Sequence, residues 1–186
     1  MVSHRRGFLT AAAAALAITG ALIGAAGAPG AARAEAPLQV VATTGMIADA
    51  AREVGGDLVE VRALMGPGVD PHAYRQTRSD IAAMLSADLV LWNGLYLEAQ
   101  MEAFLLELGA RKPVVAVAEA IPAARLIAHE DYAGRFDPHV WIVPELWAEA
   151  VGAVRDALIA ARPEAEAAFR ANAEAHLDEI ARLGAY

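Results

Sequence analysis

A chain of 186 residues can form one domain with a sizeable core, and its 57% hydrophobic and 20% charged residues are typical of a folded protein. The formal charge of −8 argues against a nucleic-acid partner, because little basic surface is left to neutralise phosphates. The chain has no cysteine, so a disulfide, a lipid-attachment cysteine and a thiolate metal site are all excluded. Any metal must be held by histidine and carboxylate groups.

Residues 1–34 have the composition of a secretion leader. Arg5 and Arg6 precede Phe-Leu, an apolar run rich in Ala extends to about residue 28, and Ala32-Arg33-Ala34 provides a small-x-small cleavage site. The paired arginines indicate the Tat type of signal peptide. A membrane anchor is the alternative, but several glycines and a proline interrupt the apolar run. We expect cleavage, export to the periplasm, no membrane insertion afterwards and a mature charge of about −11, since the leader carries three arginines and no acid.

The rest of the chain alternates short apolar runs with longer amphipathic segments, which predicts βαβ units around a parallel sheet. Predicted strands cover residues 38–43, 58–64, 89–92 and 114–117. Predicted helices cover residues 47–54, 78–85 and 97–108, then 144 to about 161, and a last helix from 163 onward. Thr77 or Ser79 is expected to cap the second helix. The predicted fold class is therefore α/β, with a four-stranded, mainly parallel sheet flanked by helices.

The tripeptide Asp-Pro-His occurs twice, at residues 70–72 and 137–139, in glycine-flanked loops. Proline fixes φ just before each histidine and stiffens the loop, so the imidazole loses little entropy on binding. Loops at the carboxyl edge of a parallel sheet face one crevice, which allows His72 and His139 to converge. We predict that both are metal ligands. Asp70 and Asp137 are predicted to support them, because a carboxylate beside the ring N–H fixes the tautomer and raises the basicity of the other nitrogen.

Three segments resemble the zinc/manganese solute-binding proteins of ABC transporters, the cluster A-I type. They are LMGPGVDPHAY at residues 64–74, ADLVLWNGLYLE at 87–98 and DPHVW at 137–141. The resemblance implies two α/β lobes joined by a long rigid helix, with the metal bound between the lobes by two histidines of the first lobe and by two ligands of the second. Only His72 and His139 carry over to this chain. An ABC permease in the inner membrane is the implied partner, and zinc or manganese the implied transported ion.

The same resemblance suggests the organisation of the chain: a leader at residues 1–34, an N-terminal metal-binding lobe at 35–160, and the start of the linking helix at 161–186. The last helix has an apolar stripe of Leu177, Ile180 and Leu183 that must pack against something. We therefore expect the chain to be a truncated form or fragment.

The chain also departs from the family pattern. Ile142 and Val143 stand where the family usually has an aromatic residue and an aspartate, which puts the affinity of the site in doubt. The histidine-rich loop of the zinc type is absent before residue 137, and His129 is interpreted as a solvated loop residue. His176, between polar neighbours on the last helix, is expected to be exposed.

Two other functions are alternatives to transport. Two histidines and a carboxylate could hold a catalytic zinc ion in a metal-dependent hydrolase. However, the chain has no His-Glu-x-x-His, Gly-x-Ser-x-Gly, phosphate-loop or dinucleotide motif, so we predict that it is not an enzyme. A metal-binding surface adhesion protein is the other alternative, and the lack of a lipid anchor makes it less attractive. The sequence does not decide between zinc and manganese.

Overall fold

The computed structural model describes residues 36–130 and 132–185. The strands are β1 (Leu38–Ala42), β2 (Val59–Ala63), β3 (Leu89–Trp92) and β4 (Val114–Ala116), and the helices are α1 (Gly45–Gly55), α2 (Arg78–Ser86), α3 (Glu102–Gly109), α4 (Pro144–Ala161) and α5 (Glu166–Gly184). The predicted leader lies outside the described residues. None of the described helices is both long and apolar enough to span a membrane.

The four strands form one parallel sheet in the order β2-β1-β3-β4, which confirms the predicted fold class. Each predicted strand agrees with the structure to within one residue at either end. Val40 in the centre of β1 pairs with Val61 on one side and with Leu89 on the other. The chain passes from β1 to its neighbour β2 on one side of the sheet and from β3 to its neighbour β4 on the other side. A crevice is therefore expected at the carboxyl ends of β1 and β3, where the strand order reverses.

Two apolar layers cover the two faces of the sheet. On one face α1, α4 and α5 pack together, with Ile47, Leu158 and Phe169 fully buried. On the other face α2 and α3 contribute Met84 and Leu105, which are also fully buried. Since both faces are covered, the central strands β1 and β3 are largely buried on both sides, whereas the edge strand β2 alternates half-buried and exposed residues.

The helix ends follow local chemistry. Thr77 caps α2 in a full capping box with Asp80, which confirms one of the two predicted caps. Pro144 opens α4 at a position where its missing N–H costs no hydrogen bond. The third helix was predicted to begin at residue 97, but α3 begins at Glu102. The preceding residues Gly94, Leu95 and Tyr96 have φ of 78°, 53° and 72°, a left-handed run that holds the chain in turns before the helix begins.

Helix α5 packs on α1 and α4 through Phe169, Ala173 and Ile180. Leu177 of the predicted apolar stripe is partly buried, whereas Leu183 is 69% exposed. The buried positions begin about two helical turns before the predicted stripe, at Phe169, which supplies the largest side chain of this contact.

Candidate metal site

His72 and His139 lie together, although 67 positions separate them in the chain. Their Nε2 atoms are 3.3 Å apart and their ring centroids 5.3 Å apart, with the ring planes tilted by 47°. Zinc binds imidazole nitrogen at about 2.0–2.1 Å, so two nitrogens on a tetrahedral ion are separated by about 3.3 Å. The distance between the two Nε2 atoms therefore fits two ligands of a single zinc ion.

Asp137 holds the His139 ring in the orientation that metal binding requires. Its Oδ1 lies 2.7 Å from His139 Nδ1 and accepts the backbone N–H of the same residue at 2.9 Å. When Nδ1 carries the proton and donates it to the carboxylate, Nε2 keeps a free lone pair directed toward His72. The backbone hydrogen bond, and to a smaller extent the contact with the ring, keep the pKa of Asp137 below its ordinary value despite partial burial. The carboxylate is thus ionised at neutral pH.

Asp70 supports His72 differently. Its Oδ1 accepts the backbone N–H of His72 at 3.0 Å, and in the described part of the chain it makes no hydrogen bond to the His72 ring. This is an Asx-type turn, in which an aspartate closes the loop that follows it. The two Asp-Pro-His motifs thus share the same aspartate-to-backbone hydrogen bond, but only in the second motif does the aspartate also contact the histidine ring.

A buried polar cluster lies at the carboxyl ends of β1 and β3. Glu98 is fully buried and accepts hydrogen bonds from Thr43 Oγ1 at 2.7 Å and from the backbone N–H groups of Asn93 and Gly94 at 2.8 and 3.2 Å. Burial raises the pKa of Glu98 despite these donors. Asn93 Nδ2 in turn donates to the carbonyl oxygen of Pro138 at 3.2 Å. The loop that presents His139 is therefore attached to the centre of the sheet.

The loop that carries His72 has its own anchor on α2. Asp80 Oδ2 accepts hydrogen bonds from Tyr74 Oη at 2.7 Å, Thr77 N at 2.8 Å and Thr77 Oγ1 at 2.7 Å. Burial favours the neutral acid, but the hydrogen bonds from Tyr74 and Thr77 outweigh it and lower the pKa of Asp80. Burial and the contact with Asp80 raise the pKa of Tyr74 to about 12. The phenol therefore remains a donor at every physiological pH.

The two remaining described histidines lie elsewhere. The His129 ring stands edge-on to Tyr132 at 4.7 Å in the loop before residue 137, and its backbone N–H donates to the Arg135 carbonyl. His176 was expected to be exposed, and that expectation is wrong: only 19% of its side chain is exposed. It lies three residues after Ala173 and four before Ile180, so it borders the packed face of α5.

Among residues 36–130 and 132–185, no group of three or more His, Cys, Asp or Glu side chains is arranged to hold a metal ion. The described site consists of two imidazoles. Sequence reasoning identified these and Asp137, but it gave no role to Asn93, Glu98 or Asp80. A polar residue directly after a buried strand is a signal for Asn93, since the carboxyl edge of a parallel sheet is where sites form, but Glu98 lies six residues beyond β3 and carries no such signal. Asp80 could have been noticed as the third residue of a capping box.

This fold, with an imidazole pair at the carboxyl edge of its sheet, is similar to that of solved periplasmic metal-binding proteins. The solved structure of the periplasmic zinc binding protein TroA from Treponema pallidum matches 81% of this chain and 53% of its own, with a TM-score of 0.77 and 39% identity. The family model described as zinc-uptake complex component A, periplasmic (ZnuA), matches residues 40–186, and the chain belongs to this family.

Curated relatives agree with this assignment. The manganese-binding lipoprotein MntA of Bacillus subtilis is 45% identical over 150 residues, which cover 81% of this chain and 49% of that protein. The zinc-binding protein TroA of Treponema pallidum is 40% identical over 147 residues, which cover 79% of this chain and 47% of that protein. The chain thus spans about half the length of the curated relatives it matches. These relatives are named as metal-binding proteins and not as enzymes, which agrees with the prediction from the motifs.

Proposed function

We propose that this chain binds a divalent metal ion, zinc or manganese, as the substrate-binding component of an ABC importer. His72 and His139 are the proposed ligands. The observation that carries the proposal is the 3.3 Å distance between their Nε2 atoms, together with the Asp137 carboxylate on His139 Nδ1. The remaining coordination positions would be taken by water or by side chains other than those described.

The family supports the proposed location, partner and domain organisation. Relatives named for zinc and manganese support the choice of ions, and the name of one solved relative places it in the periplasm. For this chain we propose export through a Tat-type leader at residues 1–34, a metal-binding lobe at 35–160, and delivery of the ion to a permease in the inner membrane. Residues 161–186 would begin the helix that links this lobe to a second one.

Transport suits the site because a transported ion must be bound and later released. The imidazole rings of His72 and His139 lie near the protein surface, and 41% of the His139 side chain is exposed. An ion held there can be reached by further ligands from a second lobe without unfolding this one. The contacts around His72 and His139 orient the two proposed ligands, and transport requires no proton-transfer group.

Isothermal titration with zinc chloride tests the proposal. The wild-type chain should bind zinc, and His72→Ala and His139→Ala should each weaken binding about a hundredfold or more, because a single imidazole remains. His176→Gln is the matched control, since that histidine lies on α5 and should not affect binding. Equal zinc affinity in wild type and both alanine variants would refute the assignment of the ligands.

The same titration with manganese addresses the choice of metal. Two imidazoles favour zinc over manganese by the Irving–Williams order, so zinc should bind more tightly to this chain. Tighter manganese binding would contradict the ligand set proposed here.

A further inference from the structure

The position of His72 depends on a contact that lies outside the metal site. His72 itself is exposed, and its imidazole has one ring neighbour among the described residues, the ring of His139. Packing therefore does not hold this side chain in place. Its location is set by the backbone of the loop, which leaves β2, passes through Gly68 at φ +80° and enters α2 at Arg78.

That loop is attached at two points. Asp70 closes the turn on the backbone N–H of His72. The second attachment is Asp80. Its Oδ2 accepts hydrogen bonds from the Tyr74 hydroxyl, the Thr77 backbone N–H and the Thr77 hydroxyl, at 2.7–2.8 Å. Asp80 is 5% exposed and belongs to the first turn of α2, a rigid element. The segment between residues 72 and 80 is thus short and fixed at its far end.

Tyr74 is the link between the anchor and the ligand. It follows His72 by two residues, its ring packs on the apolar layer of α2 and α3, and its hydroxyl meets the buried carboxylate. If this hydrogen bond is absent, the ring keeps its packing, but the hydroxyl no longer ties the loop backbone at Tyr74 to α2. Arg62 on β2 lies 3.7 Å from the other oxygen of Asp80 and so attaches the same carboxylate to the sheet.

We propose that Tyr74 and Asp80 are positioning residues for the metal site, holding His72 at the distance from His139 that a shared ion requires. This inference rests on the proposed function for its effect on affinity. Apparent affinity falls by the fraction of molecules in which the competent arrangement is populated. A loop released from Asp80 would place His72 correctly for only part of the time, and metal would bind more weakly although both ligands remain.

The first test is zinc titration of Tyr74→Phe, which removes one oxygen and keeps the ring. We expect zinc affinity to fall about three- to tenfold, as the competent fraction decreases. Asp80→Ala, which removes the acceptor, is the second variant, and the double variant should lose little more than Asp80→Ala alone, because the Tyr74 hydroxyl has already lost this partner. Ser86→Ala is the matched control. It removes the hydrogen bond from Ser86 Oγ to the Ala83 carbonyl at the opposite end of the same helix.

The second test needs no metal and so separates this inference from the proposed function. In the metal-free wild type, the ring protons of His72 and His139 should show a nuclear Overhauser effect. Tyr74→Phe and Asp80→Ala should weaken it, and Ser86→Ala should not. If the wild type binds no zinc, the proposed function fails, and this measurement alone decides whether Tyr74 and Asp80 position His72.

A purely structural role predicts a different pattern. In that case the variants would lower thermal stability but leave both the ring contact and the zinc affinity at wild-type values, and the inference would be overturned. A decrease in affinity and ring contact that exceeds the decrease in the control, with the fold retained by circular dichroism, supports it.

Discussion

Asp137 makes two hydrogen bonds to one residue, and the second of them has a chemical consequence. The bond to the His139 backbone shapes the loop, whereas the bond to Nδ1 determines which ring nitrogen is free. The carboxylate also adds negative charge next to an imidazole that would receive a dication. Geometry and charge therefore act together at this position.

Asp137→Asn separates the two effects, because the amide oxygen can still accept both hydrogen bonds while the charge is lost. We expect zinc affinity to fall about tenfold, at the lower end of the effect usual for groups that support metal ligands. Titration calorimetry measures the change, with Asp178→Asn as the control, an exposed aspartate on α5. An unchanged affinity would mean that the charge of Asp137 plays no part in binding.

Asp80 predicts a pH dependence of stability. Its pKa is lowered in the folded state, so the ionised carboxylate stabilises the fold above the unfolded value of about 4, and this contribution is lost as the pH falls through the lowered pKa. Asp80→Asn should therefore reduce the free energy of unfolding by about 1–2 kcal/mol at pH 7. The difference from wild type should narrow at pH 3. Urea unfolding at both pH values measures it, and a difference that widens toward low pH would contradict the assignment.

At the scale of elements, the turn after β3 constrains the backbone most strongly. Gly94 has φ +78°, and a Cβ there would lie 2.9 Å from Ala116 Cβ and 2.9 Å from Glu119 Cγ. Two residues with side chains, Leu95 and Tyr96, follow in the same left-handed region at about 1–2 kcal/mol each. Such strain is retained when the surrounding contacts determine it, and here the turn leads into the buried cluster around Glu98.

Gly94→Ala should lower the free energy of unfolding by about 1–3 kcal/mol, from both the backbone conformation and the close contacts. Gly152→Ala provides the matched control with the opposite sign. That residue lies in the middle of α4, and a Cβ there would meet only the end of the flexible Arg155 side chain at 4.0 Å, so alanine should stabilise the protein by about 0.5–1 kcal/mol. Chemical denaturation of both variants measures the pair, and equal effects would exclude a special backbone at Gly94.

Prediction of the elements succeeded where one physical signal dominates. The central strands β1 and β3 are largely buried on both faces, so apolar runs located them, and the cap of α2 followed from Thr77. The start of α3 was wrong because apolar residues at helical spacing extend back to Leu97, and periodicity does not reveal a left-handed turn. His72 and His139 were recognised because each ends an Asp-Pro-His motif in a loop marked by proline and glycine. Asn93 was missed because its partner Pro138 is 45 residues away in the chain. Asp80 was missed although its partners Tyr74 and Thr77 are close in sequence, because the capping box was not recognised.

At the scale of the whole molecule, α5 is part of the core and not only an extension of the chain. Phe169 is fully buried and is the largest such side chain in the described residues. Arg162, just before this helix, donates to the carbonyls of Leu58 at 3.0 Å and Ala36 at 2.6 Å. The segment after α4 is thus fixed at the amino edge of the sheet.

Phe169→Ala should cost about 3–5 kcal/mol in the free energy of unfolding, the usual effect of removing a buried aromatic ring. Leu183→Ala on the same helix is the control. That side chain is 69% exposed, so its removal should change stability by less than about 0.5 kcal/mol. Thermal or urea unfolding distinguishes the two. A small effect at Phe169 would indicate that α5 contributes little to the stability of this lobe.

The separation of the two histidines along the chain also bears on the order of events during folding. The loop of His72 leaves β2, and the loop of His139 is bonded through Pro138 to Asn93 beyond β3, with β1 between these two strands. The pair therefore forms only after three strands have aligned, and contacts so distant in sequence form slowly. An ion bound by both rings stabilises the native state and not the transition state that precedes it. Zinc should accordingly leave the refolding rate unchanged and slow unfolding. The metal would then raise the kinetic stability of the folded lobe without taking part in the folding nucleus.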